Sequence, residues 1–303
     1  MDLARAALKS SERRAANAVA LPSRLALVSA LLMLCLVGVS AYLRLSAAQL
    51  GCQPWPDCYA QAFHQAASAD TQHHPVARLT HRVLASAIGV AVLLLVFASF
   101  VRRSQRPGQF WIALAALALT ASLAALGRTT PGTIHPGIAS DNLLGGLALL
   151  ALLTWLAFDA VVAAEHERRL RLPVRLLACA TLALLAAQVF VGAMVSTLGM
   201  AAACPDLTEC GAGSPAAALH LVHRALAPTL LALGAALCVV LWRAGGFARG
   251  LASMLLVFAA LQIGIGAAMV SSQFPLWLGL LHNLGAALLT MIAVWSARWA
   301  SRS

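Results

Sequence analysis

Charge is what this sequence is short of. Only 10% of its 303 residues are charged, where a soluble domain carries about 25%, so water is excluded as the solvent for most of the chain. Equally missing is any stripe of cations interleaved with aromatics. The arginines behind the formal charge of +11 sit in short clusters between apolar runs, which argues against nucleic acid as a partner and reads as a set of topology signals. No convincing small-residue cleavage site follows the first apolar run, and that run is too long for a signal-peptide core. It is expected to stay as a helix in a chain beginning near Met1. Finally, no Cys-x-x-Cys pair occurs, which weakens a reading as a thiol-oxidising membrane protein.

What the sequence has in abundance is apolar length. Runs at 25–43, 79–101, 110–127, 137–158, 174–197, 216–241, 250–270 and 275–297 each approach or exceed the roughly 20 helical residues needed to cross a hydrocarbon core. Eight transmembrane helices are predicted, in an all-α integral membrane protein. Basic residues crowd alternate connections: Arg5, Lys9, Arg13 and Arg14, then Arg102, Arg103 and Arg106, then Arg168, Arg169, Arg171 and Arg175, then Arg243 and Arg249, and last Arg298 and Arg302. The other connections hold few, chiefly Arg44 and Arg128. The positive-inside rule then puts both termini in the cytoplasm. The loops near 44–75, 128–136, 198–215 and 271–275 face the other side, the periplasm if this is a bacterial plasma (inner) membrane. Four of the seven cysteines fall in those outer loops as two equally spaced pairs, Cys52 with Cys58 and Cys204 with Cys210. An oxidising compartment makes a disulfide in each loop the natural expectation. Cys35, Cys179 and Cys238 fall inside spans, where a thiol acts as a small hydrophobe.

The same order of features appears twice. LGCQPWPDCY is followed by a span opening on LTHRVLAS, and AACPDLTECG by one opening on LVHRALAP. Cys52 and Cys204 are 152 positions apart and His81 and His223 are 142 apart. The chain therefore divides into a cytoplasmic tail (1–24), an N-terminal four-helix half (25–158), a cytoplasmic linker (159–173) and a C-terminal four-helix half (174–303). Two pseudo-symmetric bundles of like orientation are usually related by an axis along the membrane normal.

Three histidines, His81, His223 and His282, lie a few residues inside the outer ends of spans. Ionisable groups at that depth are costly and mark function by default, although one histidine hydrogen-bonded to a neighbouring carbonyl or lying at the interface is the plain alternative. His223 and His282 are each about 10 Å below the outer surface at 1.5 Å per residue, so they can meet across one bundle. Facing imidazoles in an apolar cleft suit axial ligation of haem iron; zinc would ask for four ligands. Arg82 and Arg224 follow the repeated histidines and lie about 100° round the helix. Each can fork onto a haem propionate or snorkel to the headgroups. His220, one turn before His223, can hydrogen-bond a propionate or a loop. His64, His73 and His74 in the outer loop and His166 in the basic linker are expected to face solvent.

With these residues in hand the chain resembles the haem A synthase family, membrane enzymes that oxidise the C8 methyl of haem O to a formyl group. The resemblance runs from AYLRLSAAQLGCQPWPDC through ALHLVHR to PLWLGLLHNLGAALL. It implies a haem b ligated by His223 and His282 in the C-terminal half, and the substrate haem O facing His81 in the N-terminal half. It also implies loop disulfides from the cysteine pairs, two successive hydroxylations followed by loss of water, and a role in cytochrome oxidase assembly. The implied partners are a haem O synthase supplying substrate, an electron acceptor or donor, membrane lipid and a second copy of the chain in a homo-oligomer. Two positions depart from the family. A glutamate expected one turn before the first histidine is Arg78, and a histidine expected in the fourth span is Asn142. His135, seven residues earlier and about 10 Å higher, is a weak substitute. These departures keep a second reading open, a non-catalytic haem b-binding membrane protein serving electron transfer or oxidase assembly.

Overall fold

The computed structural model describes residues 2–59, 61, 74–129, 136–161, 172–208, 210, 213–243 and 246–301. Eight helices are long and apolar enough to cross a membrane: α1 (Asp2–Ala47), α2 (Pro75–Phe100), α3 (Pro107–Thr129), α4 (Pro136–Val161), α5 (Leu172–Thr197), α6 (Pro215–Trp242), α7 (Gly246–Ser271) and α8 (Leu276–Ser301). This is a multi-pass, all-α membrane architecture. Helices satisfy every backbone donor and acceptor within the segment, which is why an apolar run in lipid becomes one. The spanning part of α1 is Leu21–Ala47, and the helix continues without a break back to Asp2, so the stretch read as a tail is helical. His64, His73, His135 and His166 lie outside the described residues.

Helix starts are written in local chemistry. Prolines open α2, α3, α4 and α6, where a missing N–H costs nothing and the fixed φ already suits a helix. Ser214 caps α6, its hydroxyl accepting the Ala217 N–H at 3.0 Å.

Helix contacts fall into two rings. In the first, α1 touches α2 and α4, and α3 touches α2 and α4; in the second, α5 touches α6 and α8, and α7 touches α6 and α8. Between the rings run the contacts α1 with α8, α4 with α5, and α4 with α8. Exchanging α1–α4 for α5–α8 maps these contacts onto themselves. The two helices at the seam, α4 and α8, each have 50% of their spanning stretch buried, the largest share of the eight. Buried leucines and alanines of α1, α2 and α4 fill the first ring around Leu150 and Leu153. Leu237, Leu241, Ala252 and Leu255 do the same in the second. Large apolar side chains on the outside, such as Leu93, Phe97 and Val239, are the surface that lipid covers.

The two ends differ. At one, Arg103 lies over Phe100, Arg249 over Trp242 and Arg298 over Trp155, a set of cation–aromatic contacts at the basic connections. At the other, the first cysteine loop, the short 3-10 turn Met200–Ala203 and the α7–α8 turn share one apolar cluster containing Tyr59, Ala201 and Phe274. Disulfides join Cys52 to Cys58 and Cys204 to Cys210. Trp55 stacks on Phe274 with centroids 4.8 Å apart, and Gln53 donates to Gln273 at 3.1 Å. The N-terminal loop is thereby laid over the C-terminal ring. Gly51, at φ +84°, makes the crossing: a Cβ there would stand 3.2 Å from the Pro275 Cα, so both its backbone angle and its closeness require glycine.

Candidate haem site

Within each ring, helices two apart lie diagonally with no backbone contact among the described residues: α2 with α4, and α6 with α8. A diagonal pair leaves room between its helices, and in the second ring that room is flanked by two imidazoles. His223 lies about 12 Å into α6 and His282 about 9 Å into α8. Their ring centroids are 6.3 Å apart and their planes 70° from parallel. A metal ion bonded to two imidazole nitrogens at about 2 Å each sets the centroids roughly 6 Å apart. The spacing therefore fits one ion on a common axis.

Each ring is seated on a glycine of the intervening helix. A Cβ on Gly192 of α5 would fall 2.7 Å from His223 Cε1, and one on Gly266 of α7 would fall 3.3 Å from His282 Cε1. One turn before each glycine stands a glutamine, Gln188 and Gln262, and the Oε1 of each is buried without a hydrogen-bond partner. The Nδ1 atoms of His223 and His282 are likewise buried and unpartnered. Gln262 donates its amide to the His282 carbonyl at 2.7 Å. Unsatisfied buried groups are rare and ask for a reason. Here they recur in matched sets around both imidazoles, as expected where ring nitrogens are to be oriented by acceptors around a metal. Two histidines at this spacing, with glycines beneath them, fit a haem iron held from both faces. The glutamines and glycines escaped the reading of the sequence, yet the signal was present: QVFVG in α5 and QIGIG in α7 place the same pair of residues one turn apart.

The remaining predicted residues are distributed as follows. His220 is buried at 5% exposure, its Nδ1 without a partner. Arg224 reaches the cysteine loop, donating to the carbonyls of Leu207 at 3.0 Å, Asp206 at 2.8 Å and Cys204 at 3.5 Å. It fastens that loop to α6. Arg82 is exposed. In the first ring, His81 and Asn142 each stand six residues into a helix of the diagonal pair, α2 and α4, and both are half-buried, as is Arg78. His74 is exposed; its Nδ1 lies 3.1 Å from the Tyr42 hydroxyl. Among the described residues, no three of His, Cys, Asp and Glu gather as a metal cluster.

Eight spans in two rings define a polytopic membrane protein, and its pair of facing histidines fits the haem-binding class. Residues 23–294 match the cytochrome oxidase assembly protein family, COX15-CtaA, and the chain belongs to that family. It is also similar to the haem A synthase of Shewanella oneidensis, with 27% identity over 89% of this chain and 93% of the relative.

Proposed function

We propose that this protein is a haem A synthase: it binds haem b through His223 and His282 and oxidises the C8 methyl of haem O to a formyl group, for cytochrome oxidase assembly. The observation that carries the reading is the pair of imidazoles 6.3 Å apart in a chain whose family membership spans both halves. The reading divides the chain into the N-terminal half as substrate half and the C-terminal half as haem b half, joined by the linker at 159–173. It also sets both termini in the cytoplasm and the cysteine loops in the periplasm of an inner membrane.

Haem b, when bound, supplies a redox centre that can pass single electrons. The chain's own residues do the rest. His223 and His282 would hold the haem iron, Gly192 and Gly266 let the rings approach, and Gln188 and Gln262 would offer acceptors for the second ring nitrogens. In the N-terminal half His81 would face the iron of the substrate, with Arg78 and Asn142 lining the same pair of helices. Turning a methyl into a formyl with water as oxygen source releases four electrons and four protons, so an electron acceptor must be a partner. Haem O itself must come from an enzyme that alkylates haem b.

The test is chromatography of haems extracted from cells that make haem O, with and without this protein. Haem A, or its hydroxymethyl precursor, is expected only when the protein is present. Absence of both beside normally bound haem b would refute the synthase assignment. Arg78 and Asn142 favour the second reading in that case, a haem b protein without synthase activity. An arginine cannot accept a proton as a carboxylate can, and an amide is a poor ligand for haem iron.

A further inference from the structure

Arg44 is the feature that the reading so far leaves unused. It sits in the last turn of α1, in the N-terminal ring, yet both of its side-chain partners belong to the other ring. Its Nη1 donates to Ser196 Oγ of α5 at 2.5 Å and its Nη2 to Asn283 Oδ1 of α8 at 2.8 Å. Both acceptors are neutral. Among the described residues no carboxylate pairs with this guanidinium, although a cation set among transmembrane helices is costly unless it is compensated. Ser196 and Asn283 take two of its five N–H donors, and the guanidinium's flat array of donors is of the kind that accepts a carboxylate edge-on.

Its partners fix where that array lies. Asn283 directly follows His282, and Ser196 is one turn beyond Gly192 on the same face of α5, the glycine against which the His223 ring rests. Ser196 is also about 6 Å nearer the cysteine-loop end than Gly192. The guanidinium therefore stands at the seam of the two rings, held by the residue that follows His282 and by one that lies a turn beyond the glycine under His223. Arg224, the cation nearest in sequence to His223, has its donors committed to loop carbonyls.

We propose that Arg44 is a carboxylate-binding site, and that the carboxylate is a propionate of the haem held between His223 and His282. The inference rests on the haem reading above. It gives α1 a part in the C-terminal site: a residue from one half neutralises the edge of the group ligated by the other.

The test uses the full-length purified protein loaded with haem b or with its dimethyl ester, in wild type, Arg44→Gln and Arg44→Lys. Two quantities are read, the reduction potential and the rate of haem loss to an excess of a haem-scavenging protein. Removing the cation should lower the potential, because the reduced iron loses a stabilising positive charge. It should also speed haem loss roughly tenfold, the usual worth of a charge-assisted hydrogen bond. Esterification should speed haem loss from wild type in the same way and add nothing to the loss from Arg44→Gln, whereas it should raise the potential of both, because it removes a negative charge beside the iron. If that variant does not assemble, Arg44→Lys carries the same comparison with smaller shifts. Equal effects of the ester on haem loss in wild type and variant, or no effect of either change on haem loss, would overturn the proposal. So would a coupling seen only when the ester is placed on added haem O, since the carboxylate would then belong to the substrate. A haem b spectrum that survives loss of both His223 and His282 would instead refute the underlying reading.

Discussion

The two rings share a contact pattern and differ in what their diagonals carry. In the second, α6 and α8 present His223 and His282 to each other. In the first, the corresponding helices α2 and α4 carry His81 and Asn142, with Arg78 one turn before His81. Packing of apolar faces builds the frame in both. Ligand chemistry is set afterwards by single positions, so a duplicated scaffold can hold one centre tightly from both sides and offer another an open face. A tightly ligated cofactor should stay; a substrate must leave.

The most drastic way to break the comparison is to remove one side of the ligated pair. His223→Ala or His282→Ala should abolish the low-spin bis-histidine spectrum and weaken haem retention by more than the 10–100-fold that loss of an outer-shell partner costs. His64→Ala should leave the spectrum unchanged. An intact spectrum in either site variant would remove the assignment.

Making the first ring like the second is the next test. In Asn142→His, a second low-spin haem is expected when haem O is supplied. Pyridine haemochrome stoichiometry should rise from one haem per chain towards two, while release of modified haem slows. A stoichiometry equal to wild type would mean that α2 and α4 do not face a common haem.

A finer comparison lies within the second ring. The Cβ of Gly192→Ala would press on His223 at 2.7 Å, whereas that of Gly266→Ala meets His282 at 3.3 Å, a contact that a slight ring shift absorbs. Gly192→Ala should therefore perturb the Soret band and speed haem loss several-fold, and Gly266→Ala much less. Equal effects would show that the glycines do not seat the rings.

The smallest effect is expected in the first cysteine loop, which with the α7–α8 turn forms a cap over the second ring. Burial pushes the Tyr59 phenol up to about 12, with the Arg44 charge pulling the other way. An unfolded cap would ionise this phenol near its ordinary value of about 10, while the folded cap keeps its proton longer. The folded state thus binds more protons over that interval, and the cap loses stability as pH rises from about 10 to about 12, by an amount on the order of 2 kcal/mol. Near-UV circular dichroism in detergent should show an alkaline transition that Tyr59→Phe lacks.

Much of the frame could be read from the sequence because lipid imposes a single demand, an apolar helix of sufficient length, and the eight runs meet it. The histidine pair was readable for a related reason: cost at depth makes His223 and His282 conspicuous. Neighbour relations were harder. Arg224 follows His223 in sequence, but the turn of the helix delivers it to the cysteine loop. Arg44 reads as one more loop cation until α5 and α8 are seen to close on it. Gln188 and Gly192 look like ordinary span residues, because their meaning lies in a ring on another helix.

His282 stands on α8, the last span made, and α8 touches α1, α4, α5 and α7. If the two imidazoles hold the iron as proposed, its capture waits until α8 has docked. Haem binding would then report that the second ring has closed, and a fragment ending before α8 would lack the grip by which the longer chain is stabilised.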